Sequence, residues 1–149
     1  MSVNAFSNLF GCGRAAVIGM IHVKALPGSP RFDMSMEKIV SAAKREAEMY
    51  LDAKVDGVCI ENMHDVPYLH SDRVGPETVA AMTRVAATVR AAAPSLPLGV
   101  QILAAANTQA MAVARAAGTA RECVHVSRRR VPRAVTPTPH CHSYANMQL

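Results

Sequence analysis

The stretch AVIGMIHVKALPGSP, residues 16–30, carries the strongest indication of the fold, because a long apolar run ends there in polar and turn-forming residues. Residues 16–23 are rich in aliphatic and β-branched side chains, a pattern typical of a strand buried on both faces of a parallel sheet. His22 and Lys24 stand beside the exit of this strand, before a Pro-Gly-Ser-Pro turn. A strand that only filled a core would not need these two side chains, so the stretch also indicates a functional site.

The same pattern of strand and helix recurs twice along the chain. Ser35 is the expected N-cap of the first helix, and Pro76 is the expected first residue of the second helix. The third helix is expected over 107–117, with Gly118 as its C-terminal cap. Alternating strands and helices require parallel strands joined by right-handed crossovers. The further apolar segments that predict the second and third strands are 55–61 (VDGVCIE) and 96–103 (LPLGVQIL).

Two architectures consist of alternating strands and helices of this kind, namely the doubly wound sheet and the eight-unit barrel. The first strand is not followed by a G-x-G-x-x-G turn, so a dinucleotide-binding sheet has no positive support. We therefore predict an α/β fold, a partial (β/α)8 TIM-type barrel of three to three and a half βα units. It occupies residues 16–118, between an N-terminal segment at 1–15 and an irregular, disordered tail at 119–149.

The composition is consistent with a single domain that has few aromatic side chains on which nucleic-acid bases could stack. The 149 residues are 50% hydrophobic, enough for a sizeable core, but aromatic residues make up only 4% and Trp is absent. Proteins that stack bases use Phe, Tyr or Trp, so no nucleic-acid partner is expected. The net charge of +5 arises mainly in the tail, because residues 1–118 hold eleven Lys and Arg against ten Asp and Glu.

Cysteine spacing and the N-terminal residues bear on location. The four cysteines have no paired spacing and no secretory signal precedes them, so a disulfide framework is not expected. We predict a cytoplasmic protein, with a mitochondrial location as the alternative because residues 1–32 contain Arg and Ser but no acidic residue. No window of about 18 uninterrupted apolar residues occurs, so no transmembrane span is predicted.

Polar side chains follow all three predicted strands, at the end of the sheet where ligands bind in α/β folds. Glu61 is the strongest candidate, because an ionised carboxylate at the end of a buried strand costs free energy unless it is paired. Glu61 and His22 are the candidate catalytic groups. The structural alternatives are a hydrogen-bonded core histidine at 22 and a solvated lysine at 24. The candidate ligand-binding residues are Lys24, Asn62, Asp65, Gln101 and Asn107.

These residues do not identify a cofactor. His22, Glu61 and Asp65 could hold a metal, but their spacing does not require one, so no metal site is predicted. His64 lies in the predicted loop after the second strand, where polar residues are expected in any case.

Four collinear motifs lie within about residues 16–118, namely VIGMIHVKALPGSPRFD (17–33), VDGVCIENMHDVPY (55–68), VGPETVAAMTRV (74–85) and LPLGVQIL (96–103). Together they resemble the BtpA/SgcQ family. The resemblance implies a TIM-type barrel related to ribulose-phosphate-binding proteins, with His22 and Lys24 where the first barrel strand opens onto the ligand face. It also implies either sugar metabolism or, as for the cyanobacterial member, photosystem I biogenesis at the thylakoid surface. The family usually has Asn where this chain has Gln101.

The sequence changes character at Thr119, after which five Arg, no Lys and no helical periodicity occur. A barrel of this family would continue into further units, so we expect that the sequence is a truncated isoform or gene model. Alone it should be marginally stable, because its sheet edges are unpaired. The expected partner is the missing half of the barrel or a second copy of the chain. Residues 120–126 could add a short strand, and 127–130 could contact phosphates. A zinc set in the tail is a further alternative, formed by Cys123, His125, His140, Cys141 and His142.

Two functions are expected from these observations. The first is a barrel that binds a small sugar- or phosphate-like ligand. The alternative is a non-catalytic assembly or interaction factor. Catalysis by this chain alone is not expected, because catalytic groups in such barrels come from several strands.

Overall fold

The computed structural model of the protein describes residues 9–11 and 14–119. The sequence-based hypotheses for the tail, namely a strand at 120–126, phosphate contacts at 127–130 and a zinc set, lie outside these residues. The elements in chain order are β1 (Ile18–His22), α1 (Met36–Asp52), β2 (Gly57–Glu61), a 3-10 turn (Ser71–Arg73), α2 (Pro76–Ala92), β3 (Leu98–Gln101) and α3 (Asn107–Ala116).

The three strands form one parallel sheet in the order β1-β2-β3. Strands that follow one another in both sequence and space require crossovers of the same hand, which place their helices on the same face of the sheet. The buried residues of all three helices accordingly join a single core with the strands. The α/β prediction is therefore confirmed, and the arrangement is compatible with a sector of a βα barrel.

The core is aliphatic and lies between the helices and one face of the sheet. Ile21, Ile60 and Val100, one from each strand, are fully buried. Ile21 is in register with Ile60, and Ile60 with Val100, so the three form a band across the sheet. The helices cover this band with small and medium side chains, which allows close approach: Ile39, Ala43, Ala47, Met82, Val85, Ala86, Val89, Ala110, Val113 and Ala114.

The helix ends follow local chemistry. The Ser35 hydroxyl accepts a hydrogen bond from the Lys38 backbone N–H at 3.4 Å, and Pro76 is the first residue of α2. Gly118 follows the C-cap of α3 with φ +72°, a conformation that glycine adopts at little cost. All three predicted cap positions are confirmed.

Helix α1 approaches β1 at a residue that has no side chain. A Cβ atom added to Gly19 would lie 2.6 Å from the Tyr50 ring. The Tyr50 hydroxyl donates a hydrogen bond to the Met20 carbonyl oxygen at 3.0 Å. The glycine therefore sets the distance between helix and strand.

Strand β1 differs from the prediction of burial on both faces. Its burial alternates along the strand, and Val17, just before it, is 58% exposed. All five residues of β2 are buried. The difference arises because β2 has a paired strand on each side, whereas β1 pairs only with β2 among the described residues. The prediction of burial on both faces, made for β1, was therefore wrong.

An ion pair fastens the start of β1 to the start of β2. The Arg14 guanidinium donates to both Asp56 carboxylate oxygens, at 2.9 and 2.8 Å, and Asp56 also accepts from the Val17 backbone N–H at 2.8 Å. The hydrogen bonds from Arg14, and then from Val17, hold the pKa of Asp56 below its ordinary value of 3.8. These contacts lie at the end of the sheet opposite the candidate site.

None of the helices in the described ranges is long and apolar enough to cross a bilayer.

Candidate functional site

Three predicted site residues lie side by side across the sheet. His22 is in register with Glu61, and Glu61 with Gln101. Strand side chains alternate between faces, and Ile21, Ile60 and Val100 face the helices. His22, Glu61 and Gln101 therefore share the opposite face, at the carboxyl ends of the strands. We call these three residues the polar row.

The polar row combines a shielded carboxylate with an accessible imidazole. His22 Nε2 lies 3.8 Å from Glu61 Oε2. The Glu61 side chain is 11% exposed and the His22 side chain 48% exposed. A shielded carboxylate next to an imidazole is an arrangement that can move a proton to or from a bound molecule. The Gln101 amide can donate to or accept from the same molecule.

The residues next to the polar row on the same face of the sheet are apolar. They are Met20, Cys59 and Gly99, two residues earlier on each strand. Cys59 is 1% exposed, and Gly99 adds no side chain. The base of the polar row is thus apolar, and it is shielded from solvent at Cys59 and Gly99.

Asn62 and Asp65 connect the loops that follow the three strands. Asn62, which is 2% exposed, accepts from the Leu103 backbone N–H at 2.8 Å and donates to Asp65 Oδ2 at 3.0 Å. Asp65 Oδ1 in turn accepts from the Leu26 backbone N–H at 2.7 Å. These two predicted ligand-binding residues therefore tie the loops after β1 and β3 to the loop after β2. We call them the loop clasp.

Lys24 lies in an open cleft beside the loop clasp. The cleft has a volume of about 480 Å³ and is formed by the loops after β1 and β2. Arg31 and His64 also line it, and neither was among the sequence-predicted binding residues. Arg31 directly follows the Pro-Gly-Ser-Pro turn, which was the available indication. The other lining residues are Ala25, Pro30, Phe32, Asp33 and Met34.

Asn107 stands apart from these groups. It is the exposed first residue of α3, and its backbone N–H donates to the Ala105 carbonyl oxygen at 2.9 Å. The structure thus brings His22, Glu61 and Gln101 into one group and Asn62 and Asp65 into another. Asn107 belongs to neither of them.

Within residues 9–11 and 14–119, no cluster of three or more His, Cys, Asp or Glu side chains is suited to hold a metal ion.

Sequence similarity to known relatives extends over most of this chain but over only part of each relative. An uncharacterised mitochondrial protein of Caenorhabditis elegans is 43% identical over 116 residues, 75% of this chain and 42% of the relative. An uncharacterised protein of Pyrococcus furiosus is 38% identical over 102 residues, 68% of this chain and 38% of the relative. The Synechocystis photosystem I biogenesis protein BtpA is 31% identical over 102 residues, 68% of this chain and 35% of that protein. The chain therefore spans less than half the length of these relatives.

No solved structure matches the chain. A family model does match, under the description BtpA family, and it covers residues 13–127. This range contains all three strands, the polar row, the loop clasp and the cleft. The chain belongs to the BtpA family.

Proposed function

We propose that this chain contributes three βα units of a (β/α)8 barrel that binds a small sugar- or phosphate-like molecule at the carboxyl ends of its strands. The observation that carries the proposal is the polar row. Three polar side chains of different chemistry stand in register on the face of the sheet that a barrel would enclose. A strand that served only the core would place apolar side chains there.

Each group has a distinct role in the proposal. Glu61 acts as the proton acceptor, His22 offers a second proton-transfer group 3.8 Å from it, and Gln101 orients a hydroxyl or carbonyl group of the ligand. The loop clasp positions the loops without contacting the ligand. Lys24 supplies a cation beside the row. Asn107 has no role in this proposal, because it belongs to neither group.

The proposal requires further barrel units. Since the chain matches less than half of its relatives' length, those units come from additional polypeptide, and a second copy of this chain is one source. A site built from several strands gains its full chemistry only in that assembly. Binding by the 149-residue chain is accordingly expected to be weaker than in that assembly but detectable at high ligand concentration, and catalysis is not expected.

Ligand-induced thermal stabilisation tests the proposal. Ribose 5-phosphate should raise the melting temperature of the chain, because a ligand that binds only the folded state stabilises it. Glu61→Gln should abolish the increase, since it removes the charge of the row at nearly constant volume. Glu48→Gln, an exposed carboxylate on α1, is the matched control and should respond like the wild type. No increase in the wild type, or equal responses of both variants, would refute the proposal.

The second candidate function is that of an assembly factor, and the name of the Synechocystis relative favours it. In that case the described surface binds another protein and the polar row is structural. Co-purification with a defined complex, unchanged by Glu61→Gln and without any response to sugar phosphates, would support this alternative. A melting temperature that rises with ribose 5-phosphate and depends on Glu61 would argue against it.

The name of the Caenorhabditis elegans relative favours a mitochondrial location over the cytoplasmic one. Fluorescence microscopy of a C-terminally tagged chain distinguishes the two, because a diffuse signal that excludes mitochondria would support the cytoplasm.

A further inference from the structure

We propose that the cleft lined by Lys24, Arg31 and His64 is the subsite for a phosphate monoester group, whose organic part extends to the polar row. This inference rests on the proposed function and adds to it the chemical class of the ligand and the residues that hold its charge. Arg31 and His64 thereby become binding residues.

The charges in the cleft favour an anion. Lys24 and Arg31 are cations at neutral pH, and His64 adds a ring nitrogen that can donate a hydrogen bond. Asp33 is the one opposing charge among the lining residues. Neither Lys24 nor Arg31 has a carboxylate partner within 4 Å in the part of the chain that the structure describes. Their charges are thus available to a ligand, and arginine suits the paired oxygens of a phosphate group.

The loop that carries Arg31 is held by successive turns. The Ser29 backbone N–H donates to the Leu26 carbonyl oxygen at 2.9 Å, and the Phe32 N–H donates to the Ser29 carbonyl oxygen at 3.0 Å. The Ser29 hydroxyl accepts from the Arg31 N–H at 3.3 Å. Leu26 itself donates to Asp65 in the loop clasp. The two walls of the cleft are therefore fastened together, which lowers the entropic cost of binding.

The cleft lies within reach of the polar row. Lys24 is two residues beyond His22, and the Val23 backbone N–H donates to the Glu61 carbonyl oxygen at 2.8 Å, so strand pairing continues between them. Two residues of extended chain span about 7 Å, which a small phosphorylated molecule can bridge. The cleft volume of about 480 Å³ lies in the range of small-ligand sites.

Inorganic phosphate probes the cleft by itself. Titration of the isotope-labelled 149-residue chain, against sodium chloride at matched ionic strength, should shift the amide NMR signals of Lys24, Arg31 and His64. Arg31→Gln should raise the phosphate Kd about tenfold, since hydrogen bonds between charged groups are strong. Arg45→Gln changes an exposed arginine on α1 in the same way and should leave the Kd unchanged. Equal effects of the two variants, or shifts that avoid the cleft, would overturn the inference.

A second variant tests the sign of the effect. Asp33→Asn removes the opposing charge, so it should lower the phosphate Kd, while its folded state is checked by an unchanged circular dichroism spectrum. An Asp33→Asn variant that binds phosphate more weakly than the wild type would contradict an anion subsite.

The two proposals fail in different ways. Glu61→Gln should leave the phosphate titration unchanged while it removes the thermal response to ribose 5-phosphate. If Glu61→Gln removes that response but Arg31→Gln and Lys24→Gln leave phosphate binding intact, the subsite is wrong and the proposed function stands. If phosphate binds in the cleft but Glu61→Gln has no effect on the response to ribose 5-phosphate, the subsite stands and the role of the polar row is wrong.

Discussion

The polar side chains around the strand ends divide by what their atoms contact. The side-chain oxygen of Asn62 and one carboxylate oxygen of Asp65 each accept a hydrogen bond from a backbone N–H group of a neighbouring loop. His22 is half exposed, and Lys24 is exposed in the cleft. A buried amide that satisfies backbone groups stabilises the fold, whereas an accessible cation or imidazole remains available to a ligand.

Removal of the Asn62 amide should destabilise the fold. Asn62→Ala leaves the Leu103 N–H without its acceptor and Asp65 without one of its donors. We expect the free energy of unfolding to fall by about 2 kcal/mol, the cost of unsatisfied buried polar groups. Asn107→Ala changes the same residue type at an exposed position and should cost less than about 0.5 kcal/mol. Equal losses in urea-induced unfolding would show that the loop clasp is not stabilising.

The Arg14–Asp56 contact should make stability depend on pH. The pKa of Asp56 is lowered in the folded state, so its contribution is fully present above the ordinary value of 3.8 and is lost as the pH falls through the lowered folded pKa. The difference in unfolding midpoint between the wild type and Asp56→Asn should therefore be constant near neutral pH and shrink below about pH 4. A difference that persists undiminished in acid would exclude this ion pair as its source.

The sequence predicted the residue types at the site better than their contacts. Glu61 and His22 were recognisable as polar residues at the end of apolar runs. That Asn62 accepts from Leu103, 41 positions away, was not predictable, because it depends on which loops the strands bring together. Arg31 was overlooked for a related reason, since its place in a cleft depends on the turns at 26–32.

Helices and strands were predictable where one local pattern determined them. The cap positions at Ser35 and Pro76 agree with the sequence because capping involves groups within a few residues. The strands are shorter than the apolar runs, with β3 covering Leu98–Gln101 within the predicted 96–103. Strand limits depend on pairing with neighbours, which the apolar pattern does not contain.

The packing of α1 on β1 should tolerate no added atom at Gly19. A methyl group there would lie 2.6 Å from the Tyr50 ring, so Gly19→Ala should lower the free energy of unfolding by about 2 kcal/mol through overpacking. In a Tyr50→Ala background the same change should cost clearly less, because the ring is gone. Chemical denaturation of the four proteins measures the coupling. Identical costs in both backgrounds would assign the effect to the strand backbone instead.

The described part of the molecule has helices on one face of an open three-stranded sheet. Strands β1 and β3 each pair with β2 alone among the described residues, so each has one edge of backbone groups without a strand partner there. Such edges favour pairing with other chains. In a barrel, the neighbouring strands satisfy them.

Self-association of the chain is therefore expected. Sedimentation velocity should show oligomers that increase with protein concentration. Val17→Lys places a charge at the exposed residue just before β1 and should reduce association, because lysine at a sheet edge opposes pairing. Met49→Lys makes the same type of change at an exposed position on α1 and should not. A monomer at all concentrations, with a sharp cooperative unfolding transition, would contradict an incomplete sheet.

The register of the polar row has one more consequence. If β3 slipped by a single position, Val100 or Ile102 would take the place of Gln101 beside Glu61, and the Gln101 amide would turn toward the helices. A shift in register would thus disrupt the packing of the hydrophobic core and the polar row at the same time. A variant with a slipped strand therefore could not keep its packing and lose only the polar row, so the two features are kept or lost together.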